Sequence, residues 1–119
     1  MTAIRSLVPF AFVRDVPTSI EFYERLGFRV GNTFVPDGET QPSWVWLESG
    51  AGAHLMLARA TEPVIASQQA VFFYLYVDDV AAKHAELKAT GMITYPFYAP
   101  RGEFRIEDPD GYALMITHT

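Results

Sequence analysis

The sequence predicts an α+β fold built from two tandem strand–helix–strand–strand–strand units, and two observations lead there. The chain repeats itself: Val13-Arg14-Asp15-Val16 returns 64 residues later as Val77-Asp78-Asp79-Val80, and Gly27 and Gly91 keep the same interval. Further on, Trp44-Val45-Trp46-Leu47-Glu48 aligns with Glu103-Phe104-Arg105-Ile106-Glu107, and Ala53-His54-Leu55-Met56-Leu57 with Tyr112-Ala113-Leu114-Met115-Ile116, both at an offset of 59. The drop from 64 to 59 places a connection five residues shorter between the helix and third strand of the second copy.

Within each copy the elements read in the same order. Residues 7–13 alternate as a strand; Asp15 is placed to cap a helix, Pro17 fits its first turn, and Ile20, Tyr23 and Leu26 recur at helical spacing. Gly27 supplies the left-handed conformation that ends the helix. Residues 71–77 repeat the strand, Asp78 or Asp79 the cap, and Val80, His84 and Leu87 the apolar stripe, with Gly91 at its end. Glu-Ser-Gly-Ala-Gly at 48–52 and Glu-Asp-Pro-Asp-Gly at 107–111 are turn signals between paired strands. These elements set one domain over 1–119, with repeat one at about 5–59, a linker at about 60–69 containing Pro63, and repeat two at about 70–118.

Strand alternation sorts the side chains into two faces. Val71, Phe73, Leu75 and Val77 point one way and Phe72, Tyr74 and Tyr76 the other. Val8, Phe10 and Phe12 join the second set through the repeat. Val45, Leu47, Leu55 and Leu57 belong beneath the first helix, and Phe104, Ile106, Leu114 and Ile116 beneath the second. Facing away from the helices are Trp44, Trp46, Glu48, His54 and Met56, with Glu103, Arg105, Ala113 and Met115 as counterparts. Apolar walls with a few ionisable groups are the make-up of a ligand pocket. Alternation alone leaves open a dimer interface or a partly solvated face, with Glu103 and Arg105 as an exposed pair.

Composition narrows the function classes. Half of the 119 residues are hydrophobic and 19% are charged, a globular balance. The net charge of −5, with nine scattered basic residues, argues against a nucleic-acid partner. No apolar run is long enough to span a bilayer. Cysteine is absent, which excludes disulfides, thiolate metal sites and Cys nucleophiles and fits a cytoplasmic location.

Glu21-Phe22-Tyr23-Glu24-Arg25-Leu26-Gly27-Phe28 and the run 104–111, FRIEDPDG, resemble the glyoxalase, bleomycin-resistance and extradiol-dioxygenase superfamily, also called vicinal oxygen chelate proteins. The resemblance implies that the repeats form a curved mixed sheet, a ligand cup with helices on its outer face, in a homodimer. In metal-dependent members His, Gln or Glu occupy positions that fall here on Val8, Met56, Phe72 and Met115. None of these suits a hard or borderline divalent ion, so neither metal nor cofactor is expected. The resemblance is nearest to the metal-free bleomycin-resistance branch. Pro9 matches a proline associated there with exchange of the N-terminal strand between subunits, and Arg101-Gly102-Glu103-Phe104 resembles a G-R-E-F segment with Arg and Gly transposed. On this reading Phe10, Trp44, Trp46, Phe72 and Tyr74 stack on an aromatic or cationic small molecule. Glu48 and Glu103 meet its positive charge, Tyr98 caps the mouth from the loop 95–102, and His54, Met56, Arg105 and Met115 complete the lining. A metal-independent enzyme is the alternative, with Arg105 holding a carboxylate or enolate oxygen and Glu103 or His54 moving a proton. A third is a scaffold whose cup is filled by its own side chains. His84 is expected in the core and His118 in the tail.

Overall fold

A computed structural model describes residues 1–50, 52–92 and 95–118. The chain divides into two compact units, Met1–Val64 and Ile65–Thr119, at a point within the stretch 60–69. The first contains β1 (Phe10–Val13), α1 (Val16–Leu26), β2 (Arg29–Phe34), β3 (Trp44–Ser49) and β4 (Ala53–Arg59). Its sheet runs β1-β4-β3-β2, with β1 parallel to β4 and the other neighbours antiparallel. The second contains a single 3-10 turn (Ala66–Gln68), β5 (Phe72–Tyr76), α2 (Val80–Ala89), β6 (Phe104–Glu107) and β7 (Ala113–Thr117). Its sheet runs β5-β7-β6, with β5 parallel to β7. Where β2 borders β3 in the first unit, the chain after α2 contributes backbone bonds from Tyr95 to Arg105 and from Tyr98 to Glu103, and a single bridge between Tyr98 and Glu103. Ile93 and Thr94, between α2 and β6, lie outside the described residues.

Both helices start where the sequence places them. Asp15 is extended and its carboxylate accepts from the Thr18 amide at 3.0 Å; Asp79 does the same for the Ala82 amide at 2.9 Å. Gly27, at φ 122°, closes α1 with its N–H on the Tyr23 and Glu24 carbonyls. The buried stripe of α1 is Val16, Ser19, Phe22, Tyr23 and Leu26. It is rotated from the expected Ile20-Tyr23-Leu26 line, and Ile20 is only half-buried. In α2, Val80 and Leu87 are buried, and half-buried His84 meets Phe104 edge-on at 4.8 Å.

Beneath the helices the alternation holds. Val45, Leu47, Leu55 and Leu57 form the buried side of the first sheet, and Phe104, Ile106, Leu114 and Ile116 that of the second. The first strand is shorter than the expected 7–13, beginning at Phe10. Pro9 has no N–H to donate, so only its carbonyl joins the ladder, accepting from Met56 N at 3.0 Å. The fifth strand likewise occupies Phe72–Tyr76 rather than 71–77, although Val77 N still reaches Thr117 O at 2.9 Å. The run 60–64 is held to the first unit: Ala60 N donates to Val13 O, the Arg14 guanidinium donates to Val64 O, and Val64 is buried.

Strand register carries the repeat down to single residues. Met56 lies between Phe10 and Trp46 in the first sheet, and Met115 between Tyr74 and Arg105 in the second. Glu48 faces His54, and Glu107 faces Ala113. Each of these correspondences falls at the 64 or 59 offset read from the sequence. The tight turn between β6 and β7 is locked by the buried Asp108 carboxylate, which accepts from the Asp110 and Tyr112 amides at 2.9 Å each.

Replacing Asp15 with Ala should cost about 1 kcal/mol in a urea titration at neutral pH, the usual worth of such a cap. The Thr18 hydroxyl, and then the Thr18 amide, hold the Asp15 carboxyl below its ordinary 3.8. The stabilisation is therefore present above 3.8 and lost as the pH falls through the lowered folded value. The gap between wild type and variant should close in strong acid, and a gap that persists there would contradict the assigned cap.

Candidate functional site: an open aromatic face on each sheet

Among the described residues each unit has one α-helix and one sheet, so only one side of each sheet is covered by its helix. On the other side of the first sheet, Phe10 and Phe12 of β1 meet edge-to-face at 5.3 Å, and the row continues through Met56 to Trp46. A parallel row runs from Phe12 across Ala58 to Trp44 and Phe34. Phe10, Phe12 and Phe34 are 49%, 53% and 51% exposed, while Trp44, Trp46 and Met56 are half-buried. Exposed aromatic rings gathered on one sheet face mark an interaction surface. Its polar end is Glu48, 3.9 Å from Arg29, beside His54, whose imidazole lies 5.0 Å from the Trp46 ring at 37°. His54 Nδ1 is buried with no hydrogen-bond partner among the described residues.

Gly31 lets this polar end assemble. It sits at the irregularity in the β2–β3 register between Val30 and Asn32. A Cβ there would stand 2.6 Å from Glu48 Oε1 and 2.7 Å from Trp46 Cδ1. The missing side chain is the space into which the carboxylate and indole lean.

The second sheet shows the same plan with different chemistry. Phe72, Tyr74 and Tyr76 line β5 on the open side, 55%, 53% and 60% exposed. Arg105 takes the place that Trp46 holds in the first sheet. Its guanidinium carbon lies 5.7 Å from the Phe72 ring centroid and 5.4 Å from that of Tyr95. Its carboxylate partner is Glu107, at 3.1 Å, and not Glu103 as the sequence suggested. Residues two apart on a strand share a face, so the sequence allowed either neighbour; the turn after Glu107 and the approach of Tyr95 Oη, 3.3 Å from Glu107 Oε1, decide it. Glu103 is half-buried and its backbone bridges Tyr98, whose ring is exposed. An open hollow of about 390 Å3 lies at this end of the sheet, lined by Phe72, Arg105, Glu107, Ala113, Ser67 and Gln69 among others.

The expected lining residues thus fall into two groups. Phe10, Trp44, Trp46, Glu48, His54 and Met56 share the open face of the first sheet. Phe72, Tyr74, Arg105 and Met115 share that of the second, with Tyr98 and Glu103 bridged at its β6 end. Sequence reasoning missed Gly31, Phe34, Ser67, Gln69 and Glu107. Glu107 could have been found from its spacing to Arg105, and Phe34 from an assignment of the second strand. Ser67 and Gln69 carry no periodic signal.

The metal positions implied by resemblance do not fit a divalent ion. Val8 and Phe72 have no donor atom, and the thioethers of Met56 and Met115 are soft ligands. Met115 also faces the Arg105 cation across the ladder. Among the described residues no three His, Cys, Asp or Glu side chains gather as a metal site. Among them, too, no helix is long and apolar enough to cross a membrane.

Residues 5–116 match the family model of the Glyoxalase/Bleomycin resistance protein/Dioxygenase superfamily. Solved structures with the same fold include a bleomycin-binding protein complexed with bleomycin (TM-score 0.70, 23% identity, covering 98% of this chain and 99% of that one). TnmS3, an antibiotic-binding protein from Streptomyces sp. CB03234, matches with TM-score 0.75 and 22% identity over 99% and 98% of the two chains. The trypanothione-dependent glyoxalase I of Leishmania major matches with TM-score 0.73 and 22% identity over 98% and 87%. The sequence has no significant match among curated proteins. At such identities the likenesses establish the fold, which both binding proteins and enzymes share.

Replacing Gly31 with Ala should push the Trp46 ring off its site, at a cost of about 1–3 kcal/mol. Tryptophan emission should shift and the denaturation midpoint fall; an unchanged emission spectrum would contradict the packing described for Trp46 and Glu48.

Proposed function

This chain belongs to the glyoxalase/bleomycin resistance protein/dioxygenase superfamily, and we propose that within it the chain is a metal-free protein that binds and sequesters an aromatic or cationic small molecule, of which a bleomycin-type antibiotic is one example. The observation that carries this reading is the chemistry of the open faces. Aromatic rings are exposed on both faces, and the positions where a metal-dependent relative would carry hard donor atoms hold Val8, Met56, Phe72 and Met115.

The face chemistry supports the ligand class. A flat ring stacked against Phe10, Trp44 and Trp46 removes apolar area from water, and each good aromatic contact adds roughly 0.5–1.5 kcal/mol. A cationic group gains further from the aromatic faces and from Glu48. The net charge of −5 favours the approach of positively charged ligands. A bleomycin-binding protein and an antibiotic-binding protein share this fold, so the binding of such small molecules is a use the fold has been put to.

We also propose that the functional form is a homodimer. Residues 1–9 lie outside any strand, and Met1, Ile4 and Leu7 are exposed apolar side chains. They lead into an edge strand with Pro9 at its start, an arrangement suited to exchange of the N-terminal arm with a second copy.

Both tryptophans, Trp44 and Trp46, lie on the open face of the first sheet, so their fluorescence reports that face alone. Bleomycin, titrated into chelator-treated protein, should quench it saturably. Trp46→Leu should weaken binding by roughly ten-fold or more, the effect of losing a central aromatic anchor. Quenching that is absent, or that follows the ligand's own absorbance without saturating, would sink the sequestering reading.

A further inference from the structure

The two sheets match in register, yet one position differs in a way that opens space. In the first sheet Glu48 faces His54, and the imidazole lies against Trp46, 5.0 Å between ring centroids. The corresponding positions in the second sheet are Glu107, Ala113 and Arg105. Where the first sheet fills the place beside its carboxylate with an imidazole, the second has a methyl group. The hollow of about 390 Å3 lies over that methyl, within the usual range of small-molecule pockets.

The groups around the hollow have hydrogen-bonding capacity to spare. Glu107 uses Oε1 for both Arg105 Nη2, at 3.1 Å, and Tyr95 Oη, at 3.3 Å, so Oε2 is left for a donor. The Arg105 guanidinium lines the hollow and holds Glu107 in place through Nη2. Phe72 supplies an aromatic wall, and Ser67 and Gln69 a polar rim.

We propose that this hollow is a subsite for a flat nitrogen heterocycle of imidazole or pyrimidine size. It would lie over Ala113 as His54 lies beside Glu48, its face against Phe72 and its N–H donating to Glu107 Oε2. The first sheet carries its own internal analogue of this ligand; the second takes the ring from solution. This inference rests on the open faces being ligand surfaces, and it narrows the chemistry one of them accepts.

The proposal is tested by an amide-shift titration of the full-length protein with imidazole at pH 8, where the ring is largely neutral, and with cyclopentanol as a control of similar size. Imidazole should shift the amides of Gln69, Phe72, Arg105, Glu107 and Ala113 saturably, with cyclopentanol at least about ten-fold weaker. Glu107→Gln should weaken imidazole about ten-fold, as expected when a charged hydrogen-bond partner is lost. Ala113→His should abolish binding by filling the place with its own ring. If that variant does not fold, Glu107→Gln alone decides. Shifts lying elsewhere, or imidazole binding equally well to either folded variant, overturn the proposal. Tryptophan quenching by bleomycin with no imidazole response in the hollow would overturn this subsite and leave sequestration standing. The reverse pattern would retain the subsite and remove sequestration.

Discussion

Among the described residues each unit pairs a single α-helix with a sheet, and strand alternation then leaves one face of that sheet without a helix. Val45, Leu47, Leu55 and Leu57 satisfy the covered side of the first sheet, as Phe104, Ile106, Leu114 and Ile116 do in the second. What remains is a face whose residues are free of the packing demands beneath the helix. Aromatic rings occupy it in both units, and they stay substantially exposed. An ordinary solvated sheet face would carry Thr, Lys and Glu at such positions. The functional reading follows from that one departure.

The repeat shows how one scaffold yields two surfaces. Register equates Trp46 with Arg105, Glu48 with Glu107 and His54 with Ala113. The backbone plan is therefore common, and the divergence is confined to side chains on the open faces. In the first sheet Gly31 admits an indole and a carboxylate, and an imidazole lies against the indole. In the second, a guanidinium lies between rings and paired to a carboxylate, beside space. Asp108 serves the backbone instead. Its buried carboxylate satisfies two turn amides, so this part of the family signature is structural.

Much of this was legible in the sequence because it rests on periodicity. Two offsets gave the repeat, alternation gave the faces, and Asp15 and Asp79 gave the helix starts. Elsewhere the decisive feature is tertiary. Pro9 ended the first strand at Phe10, since the ladder requires an amide that proline lacks. The choice between Glu103 and Glu107 as partner of Arg105 depended on where the chain turns and on Tyr95 arriving from the loop. The role of Gly31 depended on a register irregularity that no residue pattern announces. Ser67 and Gln69 reach the hollow from an aperiodic segment.

The four methionines permit a direct test of whether the open faces are the binding surfaces. Met56 and Met115 stand at corresponding points on the two open faces, Met92 is buried just beyond α2, and Met1 is in the exposed arm. Methyl-labelled methionine resonances would be followed while bleomycin is added to chelator-treated protein. The account predicts that Met56 and Met115 shift saturably while Met92 stays in place. Shifts centred on Met92, or a bound ligand that leaves Met56 and Met115 unmoved, would contradict it.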